Sequence, residues 1–149
     1  MKRVLLAESM LKIFARKNMS EAKIVPFGYL LTLDLYGCKE GTCDDLFLCY
    51  KFLEDLVREL KMSKQSPPFI FRSDEDKYPD KAGLSGWIPL IESGIQIHTL
   101  SKKNFISIDV YSCGEFSKES IRGFVQDYFG CKEVEENYIA RGLKYHEIQ

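Results

Sequence analysis

Leu31, Leu33 and Leu35 alternate with Thr32, Asp34 and Tyr36, a period of two that predicts a strand with one buried face, ended by Gly37. Asp34 falls on the less apolar side of that strand. Between residues 44 and 61 the period changes: Leu46, Cys49, Tyr50, Leu53, Leu56, Val57 and Leu60 recur every three or four positions, which predicts an amphipathic helix, with Thr42 and Asp45 as a capping pair. A similar apolar stripe, Leu5, Leu6, Met10, Ile13 and Phe14, predicts a helix over residues 4–17, closed off by Pro26 and Gly28. Residues 1–27 therefore read as a helical extension and residues 28–149 as the domain proper. After Pro67 and Pro68 a short strand over residues 69–72 leads into a polar loop, 73–81, rich in Asp, Lys and Pro. Three strands follow at residues 86–91, 95–100 and 105–111, with turns at Ser93 and Gly94 and at residues 101–104. A second helix begins near Ser117, carries Ile121, Phe124, Val125, Tyr128 and Phe129, and stops at Gly130; a last strand covers residues 133–140. The expected fold class is α+β: a two-layer sandwich, with a mostly antiparallel sheet and two main helices on one face. Its other face needs a polar lining or a partner, and a homodimer would supply one.

At 149 residues, 45% hydrophobic and 29% charged, the chain has the composition of one domain with a real core. A formal charge of −1 provides no basic field to gather a phosphate backbone, so nucleic acid is not an expected partner. No apolar run approaches the roughly 20 residues needed to cross a bilayer, and Val4 to Ala7 is too short for a signal-peptide core. A cytoplasmic location without membrane contact is the expectation. Five cysteines at irregular spacings fit neither a disulfide framework nor a paired zinc motif, and neither His98 nor His146 stands at a ligand spacing, so no metal site is expected. Cys38, Cys43, Cys49 and Cys131 read as structural.

The chemistry is concentrated in Gly83 to Gly114, GLSGWIPLIESGIQIHTLSKKNFISIDVYSCG. Four features stand in register: the GLSG turn with Ser85, the Glu92 and Ser93 pair, the IHT with His98 and the VYSCG with Cys113. Together with LTLDLYGC at Leu31 to Cys38, this segment resembles the bacterial and archaeal S-adenosylmethionine decarboxylases, pyruvoyl enzymes of polyamine synthesis, over residues 29 to 140. The resemblance implies a self-processing decarboxylase that cuts itself between Glu92 and Ser93. Its fragments, residues 1–92 (the β chain) and 93–149 (the α chain), would stay together, and Ser93 would become a covalent pyruvoyl group. In that chemistry the Ser93 hydroxyl attacks the Glu92 carbonyl and an N-to-O acyl shift gives an ester. Loss of the Ser93 α-proton then eliminates the upstream chain, and the dehydroalanine left behind hydrolyses. The pyruvoyl carbonyl forms a Schiff base with a substrate amine and withdraws electrons as carbon dioxide leaves.

Each remaining residue has a physical reason and an implied role. His98, five residues after Ser93, would bring an imidazole back to the Ser93 α-carbon for processing. Ser85 would donate to the oxyanion at the Glu92 carbonyl. Cys113 would return a proton to the substrate α-carbon after decarboxylation. Asp34 matches an acidic position of the family's first strand and could hold the substrate's ammonium; Tyr78 is a candidate to stack on adenine. Two positions depart from the family pattern. Gly94 stands where histidine usually follows the cleavage serine, and Lys102 stands where a glutamate holds the ribose hydroxyls; a lysine only donates and carries the opposite charge. The resemblance implies S-adenosylmethionine as the substrate, on the route to spermidine, and these departures open arginine or ornithine as the rival amino acids. A non-catalytic paralogue acting as a ligand-binding or regulatory subunit is the rival from outside the enzyme class.

Overall fold

A computed structural model of the chain describes residues 24–147. The helix expected over residues 4–17 lies outside them. The described elements are β1 (Gly28–Tyr36), α1 (Leu46–Leu60), β2 (Phe69–Arg72), β3 (Leu84–Leu90), β4 (Ser93–Leu100), β5 (Phe105–Ser112), α2 (Lys118–Phe129) and β6 (Glu133–Arg141), joined in places by single turns of 3-10 helix. The strands form one six-stranded sheet in the order β2-β3-β4-β5-β1-β6. Every neighbouring pair in it is antiparallel. The expected two-layer α+β sandwich is what the chain builds.

Alternation along the strands sorts the two faces. Leu31, Leu33 and Leu35 of β1, Leu84, Ile88 and Leu90 of β3, Ile95 and Ile97 of β4, and Ile106, Ile108 and Val110 of β5 are buried on the face that the helices cover. α1 adds Cys49, Phe52, Leu53, Leu56, Val57 and Leu60 to this layer, and α2 adds Ile121, Val125 and Phe129. Phe52 is the hub where the helices meet, with its ring 4.7 Å from that of Phe129 and 5.2 Å from that of Tyr128.

The start of α1 differs from the sequence expectation. Asp45 is the N-cap, its carboxylate accepting from the Leu48 N–H at 2.9 Å, and the helix begins at Leu46. Thr42 lies in a preceding 3-10 turn and donates instead to the Lys39 carbonyl, so it forms no capping pair with Asp45. The end of α2 at Gly130 is as expected.

The second difference bears on the site. The β3–β4 turn consists of Ile91 and Glu92, because Leu90 pairs with Ser93; Ser93 and Gly94 are the first residues of β4 rather than the turn itself. Two features hold this register. At one end of the hairpin Gly83 has φ 150°, and a Cβ there would lie 2.1 Å from the Thr99 carbonyl oxygen, so only glycine permits β3 to start where it does. At the other end the segment after α1 clamps the turn: the Ile91 N–H donates to the Ser63 carbonyl, the Gln65 N–H donates to the Pro89 carbonyl, and the Ser63 N–H donates to the Glu92 carboxylate at 3.1 Å.

Candidate active site

The sheet face away from the helices presents polar and aromatic side chains in cross-strand rows. Register places Phe71, Ser85, His98, Ser107, Asp34 and Glu135 side by side in one row, from β2 across to β6. The next row holds Phe69, Trp87, Gln96, Asp109, Thr32 and Asn137. Three of the residues singled out from sequence, Ser85, His98 and Asp34, therefore share one surface, and strand alternation put them there.

The expected processing pair, Glu92 and Ser93, sits at the β3–β4 turn, where Ser93 stands in register with Leu90 and Ser112. Two-residue hairpins ordinarily carry positive φ in the turn residues, and here neither Ile91 nor Glu92 does. The unusual dihedral falls on Ser93 instead, at φ 142°, in backbone space that favours glycine and costs a serine on the order of 1–3 kcal/mol. The carbonyl before it, that of Glu92, accepts a hydrogen bond of 2.9 Å from the Cys113 backbone N–H. Ser93 pairs with Ser112, so Cys113, the exposed residue that follows β5, stands beside the Glu92–Ser93 peptide. The structure brings Glu92, Ser93 and Cys113 together.

Ser85 and His98 form a second group. They are register partners, and Ser85 Oγ and His98 Nδ1 share a hydrogen bond of 2.9 Å whose direction depends on the imidazole tautomer. The bond leaves Nε2 available. Two expectations about this pair are corrected. β4 is extended, so the five residues from Ser93 to His98 span roughly 16 Å and the imidazole cannot fold back to its own Ser93. Ser85 is equally distant from its own Glu92 carbonyl, and the donor on that oxygen is the Cys113 N–H.

Asp34 lies in the His98 row, two strands away, which is about 10 Å. Burial and then the facing Glu135 carboxylate raise its pKa above the usual aspartate value. Asp109, in the adjoining row, is raised by burial and then by Asp34. Glu135 itself accepts from the Tyr36 hydroxyl at 3.0 Å. Tyr78 and Lys102 lie elsewhere: Tyr78 is exposed in the loop over residues 73–81, and Lys102 follows β4 and pairs with Glu75 of that loop at 3.3 Å. Lys102 thus sits at the opposite end of β4 from Ser93. Of the other cysteines, all four are buried, and burial pushes the Cys49 thiol up to about 12.

A cavity of about 330 Å³ opens beside Ser93, lined by Leu30, Trp87, Gly94, Gln96, Asp109, Tyr111 and Arg141 among others. Gly94 shapes its wall: a Cβ there would come within 3.0 Å of the Trp87 indole nitrogen. Trp87, Asp109, Tyr111 and Arg141 were not among the residues singled out from sequence. The alternation that predicted the strand over residues 105–111 carries the signal for Asp109 and Tyr111, since both share a face with Ser107. Arg141 has no such signal, because its approach depends on how β6 pairs with β1. Among the described residues no group of three or more His, Cys, Asp and Glu side chains is placed to hold a metal ion, and no helix is long and apolar enough to cross a membrane.

Comparison with known proteins gives one consistent result. The family model described as S-adenosylmethionine decarboxylase matches residues 29–142. A relative from Clostridium botulinum (strain Langeland), an S-adenosylmethionine decarboxylase proenzyme, is 28% identical over 116 residues, covering 77% of this chain and 94% of the relative. A proenzyme of the same name from Geobacillus sp. (strain WCH70) is 25% identical over 123 residues, covering 78% and 88%. Among solved structures, the adenosylmethionine decarboxylase from Aquifex aeolicus VF5 superposes with a TM-score of 0.67 at 24% identity, covering 78% of this chain and 92% of that one.

Proposed function

The chain belongs to the S-adenosylmethionine decarboxylase family, and on that footing we propose that it is a proenzyme that cuts itself between Glu92 and Ser93 and then decarboxylates S-adenosylmethionine on the route to spermidine. The observation that carries this reading is the conformation of the scissile peptide: a serine at φ 142° whose preceding carbonyl is already held by the Cys113 N–H. Both features lower the barrier to attack by the Ser93 hydroxyl. Strain in the ground state is relieved as the C–N bond is exchanged for an ester, and the N–H donates to the oxygen on which negative charge develops. The clamp from Ser63 to Gln65 keeps the turn from relaxing out of this geometry.

The residues around Ser93 also fit the group it would become. A pyruvoyl at residue 93 supplies an electrophilic carbonyl that takes the substrate amine and draws electrons as carbon dioxide departs. It would lie in the cavity, with Trp87 and Tyr111 excluding water and Gly94 leaving the approach open. Cys113 is the adjacent group able to deliver a proton to the substrate α-carbon.

Ser85 and His98 serve processing in this reading, but at a distance of roughly 16 Å they cannot act on their own Ser93. They act on Ser93 of a second copy. The open sheet face exposes Phe71 at 68%, Phe69 at 48% and Trp87 at 48%, the kind of surface a symmetric partner covers, and a two-fold dimer would assemble the group twice.

Intact-mass spectrometry of denatured protein tests the cut. Two fragments divided between Glu92 and Ser93, with pyruvoyl on the second, are expected; one uncut chain after prolonged incubation would overturn the reading in favour of a non-catalytic paralogue. Mixed expression tests the partner. His98→Ala and Ser93→Ala chains should each stay uncut alone, and together the His98→Ala chain should be cut. Release of carbon dioxide from arginine or ornithine in preference to S-adenosylmethionine would reassign the substrate.

A further inference from the structure

The described part of the chain holds four arginines, and three of them are committed to acidic partners. Arg58 pairs with Asp55, Arg72 with Asp44, and Arg122 with Glu136. Arg141 differs: among the described residues no carboxylate lies within ion-pair distance of it, although Asp109 lines the same cavity. Its guanidinium sits instead over the Tyr111 ring, 4.3 Å from the centroid, on the wall of the cavity that contains Ser93.

The backbone is built to hold that position. Arg141 pairs with Gly28 at the end of the β1–β6 ladder, and its side chain crosses β1 there to reach Tyr111 on β5. Gly28 has no side chain to obstruct the crossing, and could have none, since a Cβ would lie 2.4 Å from the Ser112 carbonyl oxygen. On the far side Gly142 packs against Phe27, whose N–H donates to the Gly142 carbonyl at 3.3 Å, so the end of β6 is tied down.

A guanidinium that stays charged at any working pH, steered by an aromatic ring and lacking a carboxylate of its own, is a receptor for a carboxylate from outside. The same cavity also carries Asp109, two residues along β5 from Tyr111, so it presents one cation and one acid to whatever enters beside residue 93. An α-amino acid, whose carboxylate and ammonium are two bonds apart, matches that pair. We propose that Arg141 binds the carboxylate of the α-amino-acid substrate and so places the bond to be broken over residue 93. The proposal rests on the decarboxylase reading and applies whichever amino acid is used. Because the carboxylate is present before reaction and is lost in it, Arg141 contributes chiefly to substrate binding and little to the chemical step.

The test uses the processed protein, the substrate, and two probes without a carboxylate: decarboxylated S-adenosylmethionine and the carboxamide of S-adenosylmethionine, both followed by calorimetry. Arg141→Gln should cut itself normally by mass, show a KM raised roughly 10- to 100-fold with kcat within a few-fold, and bind both probes within about twofold of the unaltered protein. Arg141→Lys should recover part of the loss, since it keeps the charge but not the two-pronged geometry. An unchanged KM would overturn the proposal, and so would equal weakening of substrate and both probes, which marks general damage to the cavity. If the unaltered chain neither cuts itself nor releases carbon dioxide from any of the three amino acids, the decarboxylase reading itself fails, an outcome seen without any Arg141 variant.

Discussion

The two faces of the one sheet have opposite jobs and tolerate opposite things. The face beneath α1 and α2 is a continuous apolar layer in which Leu31, Leu33, Ile97, Ile106 and Phe52 are fully buried. The other face carries Ser85, His98, Asp34 and Asp109, together with exposed Trp87 and Phe71, and no helix among the described residues lies over it. The first resists unfolding; the second holds two carboxylates, Asp34 and Asp109, whose charged forms burial disfavours. Strand alternation lets one backbone serve both, because each β1, β3, β4 or β5 residue belongs to one face and its neighbour to the other.

Substitutions at the open face and its edge should therefore abolish function and spare the fold, and the largest such effect belongs to Ser93→Ala. It should remove cleavage and activity entirely while the uncut chain still unfolds in a cooperative thermal transition, since the packed face is untouched; a cut, active Ser93→Ala protein would end the mechanism. Cys113→Ala comes next. The Cys113 group on Glu92 is a backbone N–H, so cleavage should continue, while turnover falls about 10²- to 10⁴-fold with the loss of a positioned acid. Normal turnover would remove Cys113 from that role. On the packed face the outcome reverses: Phe52→Ala should cost about 3–5 kcal/mol in denaturant unfolding, and chain that remains folded should still cut itself. Failure to cut under folding conditions would show that the two faces are not separable.

The smallest effect concerns Asp34. Burial and Glu135 raise its carboxyl pKa above 3.8, so the folded chain holds that proton more tightly than the unfolded chain does. The ionised carboxylate therefore counts against folding at pH values above the raised pKa, and the effect fades as pH drops through the raised value toward 3.8. Asp34→Asn should raise the thermal midpoint slightly at neutral pH and leave it unchanged in acid. A lower midpoint at neutral pH would mean that the carboxylate has a stabilising partner.

Much of this division is legible in the chain before any coordinates. Periodicity alone places β1, α1, β5 and α2, because their apolar positions repeat cleanly, and it puts Asp34 on the right face. Ser93, His98, Ser85 and Cys113 are picked out as candidates through a resemblance, since short motifs in common order survive divergence. Distance is what the sequence conceals. Nothing in a linear spacing of five residues distinguishes a tight turn from an extended strand, and the register of Leu90 with Ser93 decides it. Arg141 was invisible for the same reason: its meeting with Tyr111 joins residues thirty apart across two strand pairings.

The strand order β2-β3-β4-β5-β1-β6 has a further consequence for a chain cut after Glu92. The first fragment would own β1, β2 and β3 and the second β4, β5 and β6, so that across the sheet ownership changes from first to second, back to first at β1, and to second again at β6. Neither fragment possesses a contiguous sheet, and neither can leave without breaking the three ladders that join them, β3–β4, β5–β1 and β1–β6. The fold must accordingly be reached while the chain is one molecule. After the cut, recovery from denaturation becomes an encounter between two strangers, with a rate that falls on dilution, so the protein would have a single opportunity to fold at first-order speed.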